Sequence, residues 1–157
     1  MVVAARRSHH RPMKSPSRDS RLSPRSLPFV LVVILAAFLL LLAVLGALDP
    51  LGAAHGFGFD LAAPADAFYL HVKADRDLTL FAVLVALAIY RRPAPLALVV
   101  TVACIAPVID GALVATARHG GLGYALGVHG SAAAFGVVTA ALLWRAHRRA
   151  CAGPVGA

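Results

Sequence analysis

Glutamate is missing from this sequence altogether, so its acidic chemistry rests on seven aspartates, set against fifteen lysines and arginines. Cysteine is nearly as scarce: Cys104 falls in a long apolar run and Cys151 in the tail, with no second thiol or histidine at metal-ligand spacing around either. That excludes a disulfide framework and a structural zinc site, and no metal or cofactor is expected. There is no Gly-rich phosphate loop, no HExxH, no GxSxG and no CxxC, which removes the common nucleotide, zinc-protease, serine-hydrolase and dithiol chemistries. Charge itself is sparse. Charged residues make up 14% of the chain and hydrophobic ones 60%, against about 25% and 45–50% in soluble domains. This is a membrane composition, and four spans of about 20 residues would occupy half of the 157 positions.

The charges that are present are unevenly placed. Arg6, Arg7, Arg11, Lys14, Arg18, Arg21 and Arg25 crowd the first 26 residues, with Asp19 alone against them. A net charge of +8 in a soluble protein would point to nucleic acid. Ahead of an apolar run it is instead the positive-inside signal, and it can adhere to anionic lipid at about 1 kcal/mol per residue. Residues 1–26, rich in Ser, Arg, Pro and His and without apolar period, are expected to form a disordered cytoplasmic arm. Nucleic acid is not an expected partner.

Four helices are expected after the arm, at about 27–48, 67–90, 94–117 and 122–144, with a transmembrane domain over 27–149 and a short tail over 150–157. The predicted architecture is all-α: an integral membrane four-helix bundle. The first helix has no charge and reads as an anchor or outer wall. Asp49 is placed to cap a short turn beginning at Pro50 and ending at Gly56, and Asp66 to cap the second helix. Pro107 removes the donor for the carbonyl of Ala103 and predicts a kink in the third. Gly123, Gly127 and Ser131 form a small-residue stripe on the fourth that would admit a neighbouring helix or a second copy of the chain. Basic clusters precede the first helix, lie at Arg91 and Arg92, and follow the fourth at Arg145, His147, Arg148 and Arg149. Four crossings put all three on one side, with both termini in the cytoplasm and the plasma membrane as the expected location.

The second helix carries Lys73, Asp75, Arg76 and Asp77, ahead of an apolar run too short to span a bilayer alone. Such charges cost about 2.5–3.5 kcal/mol each at mid-membrane and are kept where partners or a wet cavity exist. At 1.5 Å per residue, Arg76 and Asp77 lie roughly 21–23 Å from Arg91, Asp110 roughly 24 Å from Ala94, and His129 roughly 24 Å from Arg145. Three helices thus place ionisable residues at one depth. Arg76, Asp77, Asp110 and His129 are the candidate binding residues, with Arg76 and Asp77 seeking partners on other helices because adjacent positions do not face each other. Arg76 against two carboxylates leaves one negative charge, which a protonated His129 or a protonated Asp would cancel. Lys73 is expected to snorkel or to pair with Asp77 four residues on.

Several short segments resemble a known family. They are Gly56-Phe57-Gly58, Tyr69-Leu70-His71-Val72-Lys73 leading to Arg76-Asp77, Ala106-Pro107-Val108-Ile109-Asp110, and Leu126-Gly127-Val128-His129-Gly130. From about Leu51 to Leu143 the chain resembles the small membrane proteins catalogued as domain of unknown function 4267, although Ala74 and Phe81 stand where that pattern has glycine. The resemblance implies a four-helix integral membrane protein and brings no activity with it. Three function classes stay open: a binding protein for a small lipophilic molecule; a membrane-embedded acid/base enzyme, isomerase or cyclase in type, using Asp77, Asp110 and His129; and a proton-coupled transporter or purely structural subunit in which the cluster locks helices together.

Overall fold

The uncharged run forms one helix, α1 (Leu27–Leu48), with Pro28 in its first turn, where a missing N–H leaves nothing unpaired. In this computed structural model residues 21–61, 64–116 and 121–152 are described, and every regular element among them is helical. Asp49 ends α1 and starts a short second helix, α2 (Pro50–Phe57), by accepting the Gly52 amide at 2.9 Å. The stop expected at Gly56 comes instead at Gly58, whose φ of 102° suits a residue without Cβ and whose N–H returns to the carbonyls of Ala54 and His55.

A 3₁₀ turn, Pro64–Ala67, contains Asp66 and leads into α3 (Phe68–Tyr90). Ala67 occupies the cap position without a side-chain bond, so Asp66 is not the cap that the sequence implied. The expected third helix is divided at Cys104 into α4 (Pro93–Ala103) and α5 (Ile105–Thr116). A proline ring collides with the carbonyl four residues back, here Ala103, and the ladder is interrupted there at one residue, Cys104, whose backbone stays helical and whose N–H still reaches the Val100 carbonyl at 3.1 Å. After residues 117–120, where the end of that helix was expected and which lie outside the described residues, α6 (Gly121–Ala125) passes through a π-helical turn, Leu126–Gly130, into α7 (Ser131–Ala152). The fourth helix therefore runs past the expected end at Trp144, because Arg145, Arg148 and Arg149 are good helix formers that also sit well at a carboxyl terminus.

Three helical stretches, Leu27–Leu48, Pro93–Thr116 and Gly121–Ala152, are long and apolar enough to cross a membrane. With 23 residues α3 matches α1 in length, but its charges hold it below that standard. It packs along α1, while α4 packs on α7. Gly46 makes the first contact close: a Cβ there would lie 3.0 Å from the Cβ of Ala74. At the far end the Leu22 amide donates to the Arg91 carbonyl at 2.7 Å, and Leu27 and Pro28 share a groove with Arg145 and Arg149. α3 thus runs antiparallel to α1 over its whole length, and the described basic clusters gather at one end of the bundle.

The same bond ties down the end of the arm expected over residues 1–26. Leu22 is buried in the core and its amide is held by Arg91, an apolar side chain and an orphan helix-end carbonyl being satisfied together. Residues 1–20 lie outside the described residues. The core occupies the basic half, where Val32, Leu84, Leu96, Val100 and Leu143 are each at most 1% exposed. Large apolar side chains also cover the outer faces, among them Leu41, Ile89, Leu98, Val102 and Val137. Among the described residues two members of the small-residue stripe meet no neighbour: a Cβ on Gly123 or Gly127 would touch nothing within 4 Å.

Gly46→Leu should therefore lower stability in detergent by about 1–3 kcal/mol, the usual cost of overpacking, whereas Gly123→Ala should leave the thermal midpoint unchanged. Equal midpoints for the two variants would show that the α1–α3 contact does not govern the fold.

Candidate functional site

The half of the bundle away from the basic end is hollow. A cavity of about 750 Å³ lies between α1, α3, the α4–α5 break and the π-turn, with α2 also contributing to its wall. Its walls are mainly apolar. α1 contributes one full face at helical spacing, Leu35, Leu39, Leu42 and Gly46. The uncharged first helix is therefore more than an outer wall, since it furnishes much of the chamber's lining. From α2 come Asp49, Gly52, Ala53 and Gly56, again one face of a helix.

All four residues singled out in the sequence line this cavity, together with Lys73. Arg76 sits between two carboxylates, with Nε 3.6 Å from Asp77 Oδ1 and a terminal nitrogen 3.5 Å from Asp110 Oδ2. These are ion-pair contacts rather than tight hydrogen bonds. Asp77, with its side chain 4% exposed, is held most closely by Lys73 Nζ at 2.6 Å, one helical turn back. Both of its partners thus belong to its own helix, contrary to the expectation that it would reach across. Only Arg76 does so: its contact with Asp110 is the one ion pair joining two of the long helices among the described residues.

Lys73 changes the charge balance. Lys73 and Arg76 against Asp77 and Asp110 sum to zero, so neutrality requires neither a protonated histidine nor a protonated carboxyl. The sequence reading set Lys73 nearer the surface and left it out of the sum. Its side chain is 14% exposed and its ammonium lies 5.1 Å from the centre of the Phe57 ring, within reach of the ring's negative face.

His129 does not join the carboxylates. Its ring stands edge-on to Phe57 with centroids 4.7 Å apart, and its Nε2 lies 3.1 Å from the Phe57 carbonyl oxygen. A carbonyl only accepts, so Nε2 donates, and Nδ1 has no hydrogen-bond partner among the described residues. Gly111 permits this placement, because a Cβ there would come 3.1 Å from the Cβ of His129. The histidine thus lies beside Asp110's neighbour without pairing to Asp110.

These contacts close the carboxyl end of α2. Its last carbonyls would otherwise be orphaned. Ala54 and His55 accept from Gly58, Gly56 accepts from the Tyr124 hydroxyl at 2.8 Å, and Phe57 accepts from His129. Phe57, packed on Phe59 at 5.7 Å, stands between Lys73 and His129 and joins the two sides of the site. No residue-type signal marks a backbone acceptor; the Gly56-Phe57-Gly58 triplet was the available clue.

Chemically, the arrangement offers a guanidinium with spare N–H donors, an Asp110 carboxylate with one unengaged oxygen, and an imidazole nitrogen free to accept, all beside an apolar chamber. Among the described residues no group of histidine, cysteine and acidic side chains is arranged to hold a metal ion. No curated protein and no solved structure matches the chain. The family model described as Domain of unknown function (DUF4267) matches residues 36–143, from the cavity wall of α1 to the core of α7, and the chain belongs to that family.

Proposed function

We propose that this is a four-span membrane protein that binds a small lipophilic molecule in the cavity beside Arg76, Asp77, Asp110 and His129. The observation that carries the reading is the cavity itself: about 750 Å³, largely apolar, with its ionisable groups gathered toward the end near α2. Ligand pockets commonly fall between about 300 and 1,000 Å³ and pair apolar walls with a few convergent polar groups. Intramembrane charge is expensive, and a cavity that hydrates or ligates it is the usual reason for keeping it.

In this reading α3 is the fourth crossing. It runs antiparallel to α1 from Ala74 beside Gly46 to Arg91 beside Leu22, and its charges face the cavity and its polar partners. The basic end is then cytoplasmic, both termini lie there in a plasma membrane, and the basic arm rests on anionic lipid. The unpartnered glycine stripe on α6 and the π-turn leaves room for a homo-oligomer.

A second reading is favoured by one observation, the unengaged Nδ1 of His129. An imidazole with Nε2–H fixed on a carbonyl and Nδ1 open is oriented as a general base. Asp110 would then be the carboxyl partner and Arg76 the group that steadies developing negative charge. Asp77, clamped by Lys73 at 2.6 Å, is the least available of the three as an acid.

Mass spectrometry of small molecules copurifying with the wild type, Asp110→Asn and His129→Ala tests the first reading. A species enriched at least tenfold on the wild type and lost from monodisperse variants is expected. No specific species, with variants that dissociate or unfold, would reduce the cluster to helix packing. His129→Gln separates binding from catalysis, since its amide can still donate to Phe57 but cannot serve as a base. If the protein is an enzyme this variant should retain the bound species and lose conversion by about 10²–10⁴-fold, the usual contribution of a general base. Topology is tested by reporters in the 58–61 segment and after α7: four crossings put them on opposite sides, the second in the cytoplasm, and three put both on one side.

A further inference from the structure

Resting on that binding reading, we infer that the ligand is a single-chain amphiphile with an uncharged hydroxyl head, seated at Arg76, Asp110 and His129, and not a fatty acid or other anion.

The head is specified by charge and by hydrogen-bonding capacity. Lys73, Arg76, Asp77 and Asp110 sum to zero with His129 neutral. Asp49 adds a negative charge in the cavity wall, where it caps α2 and is offset by the positive end of that helix. A carboxylate or phosphate head would bring uncompensated negative charge into an apolar chamber that already holds three aspartates. Yet the polar end is not saturated. Arg76 touches its two carboxylates only at 3.5 and 3.6 Å and keeps spare donors, and its side chain is 43% exposed. Asp110 has one unengaged oxygen and His129 one unengaged nitrogen, both acceptors. A hydroxyl is the smallest uncharged head that both accepts from a guanidinium and donates to a carboxylate or imidazole. A ketone would leave the acceptors unused, and an alkane would leave every group unused.

The tail is specified by the cavity's shape. Below Asp110 the lining continues along α5 and α4 to Val100, about 15 Å at 1.5 Å per residue. Opposite it, α3 is lined to Leu80 and α1 to Ile34. The polar groups lie toward one end of this slot and its far part is apolar, which suits one extended hydrocarbon chain with its head toward α2. Below Ile34 and Val100 the fully buried Val32, Leu84 and Leu96 close the slot.

The test is native mass spectrometry of the detergent-solubilised full chain at pH 7 with 1-dodecanol, dodecanoate and dodecane, chains that match the slot in length, each at matched free concentration. A one-to-one dodecanol adduct is expected to exceed the dodecanoate adduct at least tenfold, with dodecane weaker than the alcohol. In Asp110→Asn, which leaves the cluster with one net positive charge, the preference should move toward dodecanoate by at least tenfold. If that variant is not monodisperse, Asp77→Asn makes the same change in charge. Wild-type protein that takes the acid as well as or better than the alcohol overturns the inference about the head while leaving the cavity as a lipophile site. Equal binding of all three probes also overturns it, since the polar end would then recognise nothing. No adduct with any probe overturns the binding reading itself.

Discussion

Everything in the α2 half of the molecule depends on how one helix neutralises its charges. α3 carries four ionisable residues within five positions; away from the basic end of the bundle, the other long helical stretches add only Asp110 and His129. Leaving an aspartate unpaired there costs more than any single packing contact returns. The solution is local first, Lys73 on Asp77 one turn apart, and only then tertiary, Arg76 across to Asp110. Because the local pair absorbs Asp77, Arg76 and Asp110 meet loosely, at a distance that leaves both with unused capacity. The polar group thus holds the helices together and remains able to interact with something else.

Backbone accounting explains why α2 lies where it does. A helix of eight residues has little stability of its own and exposes nearly all its end groups. Here Asp49 satisfies one end, and Gly58, Tyr124 and His129 satisfy the other. The short helix is fixed beside the cavity by residues from both sides of it. His129 therefore anchors the short helix through one ring nitrogen, while the other has no hydrogen-bond partner among the described residues.

Much of this was legible in the residues. The uncharged run from Leu27 sets α1 to its final residue, Asp49-Pro50 is a cap with a helix start behind it, and counting 1.5 Å per residue from Arg91 and Ala94 places Arg76 and Asp110 at the level where they meet. What escaped has physical causes. Lys73 was expected to snorkel or to pair with Asp77, and it pairs; what sequence spacing does not reveal is that the Phe57 ring lies beside its ammonium. His129's partner is a main-chain oxygen, invisible to reasoning about side-chain types. Pro107 announces a lost hydrogen bond but not which residue leaves the ladder, and that residue is Cys104. The glycines at 123 and 127 carry a packing signal that no other described residue answers.

The division between a packed half and a hollow half fixes how deep the chamber can be. Val32, Leu84, Leu96 and Leu143 are packed just past the last lining residues, Ile34, Leu80 and Val100. The same helices line the chamber at one end and fill the core at the other, so its depth is set by where that packed layer begins. Shortening a side chain in the layer, at Leu84 or Leu96, would extend the hollow by the volume removed.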